Sequence, residues 1–175
     1  MPAFKIHKHA EDFDFEDFCL YLFNQACSIY EKGKKLYPMG VIVAQYPDSI
    51  RTHVLPFTEF AVEQKEMLAR LLRMAAAEHD GTPFCLAVGL ITEVWMADAR
   101  EGHDIAKLQE MYGEMPSKYP RKFRIERILV QLESRNKQYH MLADIGPGKK
   151  LGWKHCLPTD LRSEGRFSNM FPQTN

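Results

Sequence analysis

The stretch LAVGLITEVWMAD, Leu86 to Asp98, most constrains what this chain can fold into. It reads as a β-strand from about Phe84 to Ala97, with Glu93 its one charged residue. Side chains alternate across a strand, so the run splits into two sets. Phe84, Leu86, Val88, Leu90, Thr92, Val94 and Met96 form the bulkier set, which is expected to lie against helices. Cys85, Ala87, Gly89, Ile91, Glu93 and Trp95 form the other. A carboxylate near the middle of a sheet needs a partner, so the face that Glu93 shares with Trp95 is the place to look for a site.

Around this strand the pattern spells further elements. Asp14 suits an N-cap, with Phe13 and Phe18 placed as a hydrophobic staple, and Phe15, Phe18, Leu22, Ala26 and Ile29 recur at helical spacing. A helix from about 14 to 36 is expected, with Lys32, Lys34 and Lys35 in its last turn. The runs GVIVAQY and IRTHVLPF flank the turn residues PDS and read as a hairpin. Thr58 then caps a second helix whose expected buried stripe is Phe60, Gln64, Met67, Leu68, Leu71, Leu72 and Ala75, ending at Asp80-Gly81. After the central strand, Asp104 to Tyr112 reads as a short helix stopped by Gly113. FRIERILVQLE and QYHMLADI form a second hairpin with Arg135-Asn136 near its tip.

The order is α-β-β-α-β-(α)-β-β. It predicts an α+β fold: an antiparallel sheet of about five strands with two main helices packed on one face. Gly146-Pro147-Gly148 marks the expected end of a single domain over 1–146, and 147–175 reads as an extended or partly disordered tail. Pairing Ser134 with Lys137 in the last hairpin sets Ile128 opposite Ala143, Val130 opposite Met141 and Leu132 opposite Tyr139 on the helix-packed side. Arg127 then stands across from Asp144, Leu129 from Leu142 and Gln131 from His140 on the second face, beside Ile91, Glu93 and Trp95.

Charge narrows the function classes. Lys plus Arg number 23 and Asp plus Glu number 23. Such a balance supplies no general attraction to nucleic acid or to an anionic membrane. Cys19, Cys27, Cys85 and Cys156 show no metal-ligand spacing and suit reduced thiols in a cytoplasmic protein. The first residues lack the continuous apolar core of a signal peptide, and no run approaches the length of a membrane span. GPGKKLG lacks the spacing and the Lys-Ser/Thr end of a phosphate loop, and there is no GxSxG, HExxH or EF-hand pattern. The HKH triplet near the start does not make a designed metal site. No metal and no cofactor is expected.

The long connection ending in EMPSKYPRKF is a second candidate region, since long connections in compact domains are disproportionately functional. Ser117, Lys118, Tyr119 and Arg121 lie in it. Together LITEVWMAD and MPSKYPRKFRIERILVQLES resemble a group of uncharacterised prokaryotic and phage proteins. In that group a strand ending in Ser-Glu-Ala-Trp precedes Pro-Ser-x-x-Pro-x-Arg-x-Glu. Thr92-Glu93-Val94-Trp95, Pro116-Ser117, Pro120, Arg124 and Glu126 carry the resemblance, with Thr for Ser, Val for Ala and the Arg and Glu shifted by one or two places. It spans roughly 84–134 and implies no activity. It does imply that the Glu-Trp strand and the Pro-Ser loop belong to one structural unit.

Three functions follow as expectations. The leading one is a non-enzymatic binding or accessory protein, of phage or mobile-element type, that dimerises or holds a protein partner. Its contact residues would be Trp95, Ile91, Glu93, Arg127, Ser117, Tyr119, Arg121 and Trp153, with Trp95 as anchor. The alternative is a metal-dependent phosphoryl-transfer or nuclease-type enzyme using Glu93, Glu126 and His140. The third is nucleic-acid binding by the tail, with Lys149, Lys150, Lys154, Arg162 and Arg166 on phosphates and Trp153 on bases.

Overall fold

The computed structural model describes residues 13–57, 62–77, 84–98, 102, 104–157 and 170–171. In chain order its elements are α1 (Phe15–Glu31), β1 (Met39–Gln45), β2 (Ile50–Pro56), α2 (Val62–Ala77), β3 (Phe84–Ala97), α3 (Ile105–Tyr112), β4 (Arg124–Glu133), β5 (Gln138–Ile145) and β6 (Leu151–Leu157). The strands form one antiparallel sheet of six in the order β2-β1-β3-β4-β5-β6. The Thr58 cap, Phe60 and the Asp80-Gly81 stop lie outside the described residues, as do the HKH triplet, Arg162 and Arg166.

Asp14 begins α1 as its composition demands. Its Oδ1 accepts the Asp17 backbone N–H at 2.9 Å. The Phe13 and Phe18 rings meet at 5.3 Å, which closes the staple. The helix stops sooner than its lysines suggested. Gly33 adopts φ +70°, its N–H bonds the Tyr30 carbonyl, and the Lys34 N–H reaches back to Ile29. That is a Schellman cap, and the left-handed glycine, not the lysine run, sets the end.

The two long helices lie on opposite faces of the sheet, which corrects the expectation of one helical face. Phe18, Leu22, Phe23, Ala26 and Tyr30 of α1 pack on Val41, Val43, Ala87, Ile91, Ile128 and Val130. Leu68, Leu72 and Ala76 of α2 pack on Val88 and Leu90 from the other side. Each fully buried Leu or Phe of this kind contributes roughly 1.5–3 kcal/mol. A bulge explains part of the misassignment. Val43 pairs with Ala87 but Ala44 pairs with Cys85, so Leu86 is an extra residue. Cys85 therefore joins the α2 side while Ala87 stays with α1.

The register of the last hairpin matches the sequence reading: Ile128 faces Ala143, Val130 faces Met141 and Arg127 faces Asp144. Its placement relative to β3 does not. Ile91 pairs with Val130 and Glu93 with Ile128, so Ile91, Glu93 and Trp95 share the α1 face. Arg127 pairs with Val94 and belongs to the opposite face. The sheet also continues past Gly146. Pro147 to Lys149 make one tight turn, and Leu151–Leu157 adds β6 along β5. Gly152 and Trp153 together oppose Asp144, a second bulge. Among the described residues no helix is long and apolar enough to cross a membrane.

Candidate functional site

The α1 face has a covered part and an open end. α1 lies over Ile91, Ile128, Val130 and Ala143. Glu93 pairs with Ile128 at the edge of that cover, the next row is Trp95–Glu126, and Arg124 follows beside Ala97. Alternation puts Glu93, Trp95, Glu126 and Arg124 on one surface. Two carboxylates thus stand on adjoining strands at the rim of the core.

Their electrostatics are coupled. Burial raises the Glu93 carboxyl above its ordinary range, and the Glu126 charge raises it further. Lys149, the Leu36 backbone N–H and Lys35 pull the other way without reversing the shift. The Tyr30 phenol at the end of α1 is pushed up by burial and then by both carboxylates. Arg127, expected on the face of Glu93, points to the other face. Lysines from the α1–β1 and β5–β6 connections supply the positive charge near Glu93 instead.

An arginine of β4 does reach this end, at Trp95. The Arg124 guanidinium lies 4.4 Å from the indole centroid, a cation–π stack. Its Nη1 donates to the Ser117 carbonyl. The strand end and the Pro-Ser turn are therefore joined through Arg124. The connection is itself built rigidly. Asp104 Oδ1 caps α3 by accepting from Ala106 and Lys107, and Gly113 ends it at φ +84°. Two 3-10 turns, Pro116–Lys118 and Arg121–Phe123, lead into β4. Tyr119 is buried, with its ring 5.9 Å from Tyr112, so it serves the packing. Ser117 and Arg121 are exposed.

Apolar side chains point outward at Trp95 and along the connection that follows β3. Trp95 is 39% exposed, and Ile105, Met111 and Met115 of the following connection are exposed as well. Ile91, expected at the contact, is buried beneath α1.

The opposite face holds a separate polar row. The Arg127 Nε donates to Asp144 Oδ1 at 2.7 Å, and His155 Nε2 lies 3.6 Å from the same oxygen. The Trp153 ring meets His155 edge-on at 5.0 Å and is 74% exposed. His140, across from Gln131, is buried on this face, and burial lowers its pKa. Glu93 and Glu126 thus come together, while His140 lies on the other side of the sheet. Among the described residues no three His, Cys, Asp or Glu side chains converge as a metal-binding group. Lys154 pairs with Ala143 on the α1 side, so it and Trp153 point to opposite faces of β6.

The sequence reading left out Lys35, Lys149 and Tyr30 around Glu93. Nothing in their local pattern marks them, because only the tertiary fold brings the turns to the strand. It also put Met67 and Leu71 inside. Both are exposed, and a shallow depression lined by Glu66, Met67, Arg70, Arg73, Met74 and Ala77 runs along the outside of α2. The chain is thus an α+β protein with one antiparallel sheet. Comparison with family models, curated proteins and solved structures returns no match.

Proposed function

We propose that this chain is a binding protein that holds a protein partner at the Trp95 corner. The observation that carries the reading is the exposed Trp95 indole held under Arg124, at a strand end whose following connection leaves three more apolar side chains exposed. Trp95, Ile105, Met111 and Met115 all lie within one strand end and the connection that follows it. Exposed apolar surface of this kind marks contact sites, and a tryptophan beside an arginine is a common energetic centre. Arg124 pre-orients the indole and the Ser117 carbonyl fixes Arg124, so little side-chain freedom is lost on contact. Charges at the corner are of both signs, which suits an aromatic anchor with a polar rim. Trp95→Ala should abolish partner recovery by the tagged full-length chain, while Trp153→Ala leaves it intact. Equal recovery by both variants sinks the reading.

A second reading draws on the Glu93–Glu126 pair. Two coupled carboxylates, one with a raised proton affinity, fit hydrolytic chemistry assisted by a divalent cation, without a contribution from His140. Mg²⁺ or Mn²⁺ should then raise the melting temperature of the wild type and leave Glu93→Gln unmoved. A wild type indifferent to both ions removes this reading.

A further inference from the structure

Glu133 closes β4 with a side chain that the fold has buried, the residue being 7% exposed. Its Oε1 accepts the backbone N–H of Met170 at 2.7 Å and of Phe171 at 3.3 Å. Its Oε2 accepts from Gln138 Nε2 at 2.8 Å, which fixes the carboxylate plane. Met170 and Phe171 are themselves buried, in the cluster that α2 forms with the sheet through Leu68, Leu72, Val88 and Leu90. One carboxylate thus gathers two successive main-chain donors, and the two side chains belong to the apolar cluster of Leu68, Leu72, Val88 and Leu90. Peptide-binding sites read their ligands by this division, with main-chain hydrogen bonds for hold and side-chain pockets for choice. The segment suits the site in covalent terms also. Pro172 follows and has no N–H to offer, so the donors end with Phe171.

We infer that the Glu133 pocket is a peptide-recognition site, filled by the chain's own Met170-Phe171 and able to take the same segment from a second copy. The chain's own copy is covalently attached, so it wins at ordinary protein concentration. The exchange becomes visible when the tethered ligand is weakened. The charged acceptor makes both amide bonds stronger than neutral ones, so recognition depends on Glu133 as well as on the apolar cluster.

The test uses the full-length chain carrying Met170→Ala and Phe171→Ala. It is titrated with a fluorescent peptide of the sequence RFSNMFPQTN, residues 166–175. Saturable binding is expected, weakened at least about tenfold when Glu133→Gln is added. It should vanish when the peptide carries Ala at its Met and Phe positions. If the double variant does not fold, Phe171→Ala alone takes its place in the titration. A folded variant that shows no saturable binding up to millimolar peptide overturns the inference. So does binding indifferent to Glu133→Gln or to loss of the peptide's Met and Phe.

Discussion

Glu93 is an acid whose neutral form is favoured by folding. Burial and then the Glu126 charge raise its proton affinity above the ordinary value of 4.5. A folded state that holds the proton more tightly than the unfolded chain is most favoured at low pH. That stability is lost as pH rises from 4.5 through the folded value. Glu93→Gln keeps an acceptor for the Leu36 N–H and cannot ionise. Its melting temperature relative to wild type should therefore climb as pH rises through that window. Paired thermal melts from about pH 4 to about pH 8 read this directly, and a difference independent of pH contradicts it. Glu93 was legible as the odd residue of its strand because one carboxylate in an apolar run is a local fact. Its surroundings were not. Arg124 and Arg127 differ by an odd number of positions, so they take opposite faces, and choosing between them requires the register against β3.

At the level of elements, α2 shows how far periodicity reaches. Met67, Leu68, Leu71 and Leu72 are all apolar, so the helix presents a wide arc and the pattern cannot fix its rotation. The fold chooses Leu68, Leu72 and Ala76, and leaves Met67 51% exposed. Leu68→Ala should cost about 2–5 kcal/mol in urea unfolding, and Met67→Ala should stay within about 0.5 kcal/mol. Equal losses at both positions would show that the helix is rotated otherwise. α1 and α3 were legible for a different reason. Asp14 and Asp104 each satisfy orphan donors within three residues, so their caps are local. β6 was hidden because Gly146, Pro147, Gly148 and Gly152 punctuate it, and its bulge breaks the alternation that announces a strand.

Taken whole, the described residues form a six-stranded antiparallel sheet between helices, with a polar, aromatic corner where the α1 layer ends. The α+β order and the hairpin pairing could be read from the chain because hairpins are decided by neighbours in sequence. Which face each helix covers is decided by contacts far apart in sequence, and one bulge at Leu86 is enough to invert part of the reading. The candidate site was half legible on the same grounds. Trp95, Glu93 and Ser117 stood out by residue type, and the lysines and Arg124 that complete their surroundings are brought by the fold. A partner held by this molecule should make its contact at the Trp95 corner. Carbene footprinting of the full-length chain with the protein it recovers reads that contact. Labelling should fall at Trp95, Met111 and Met115, with Met67, Met74 and Trp153 unchanged. Protection at Trp153 or along α2, with Trp95 and the β3–β4 connection still labelled, would contradict it.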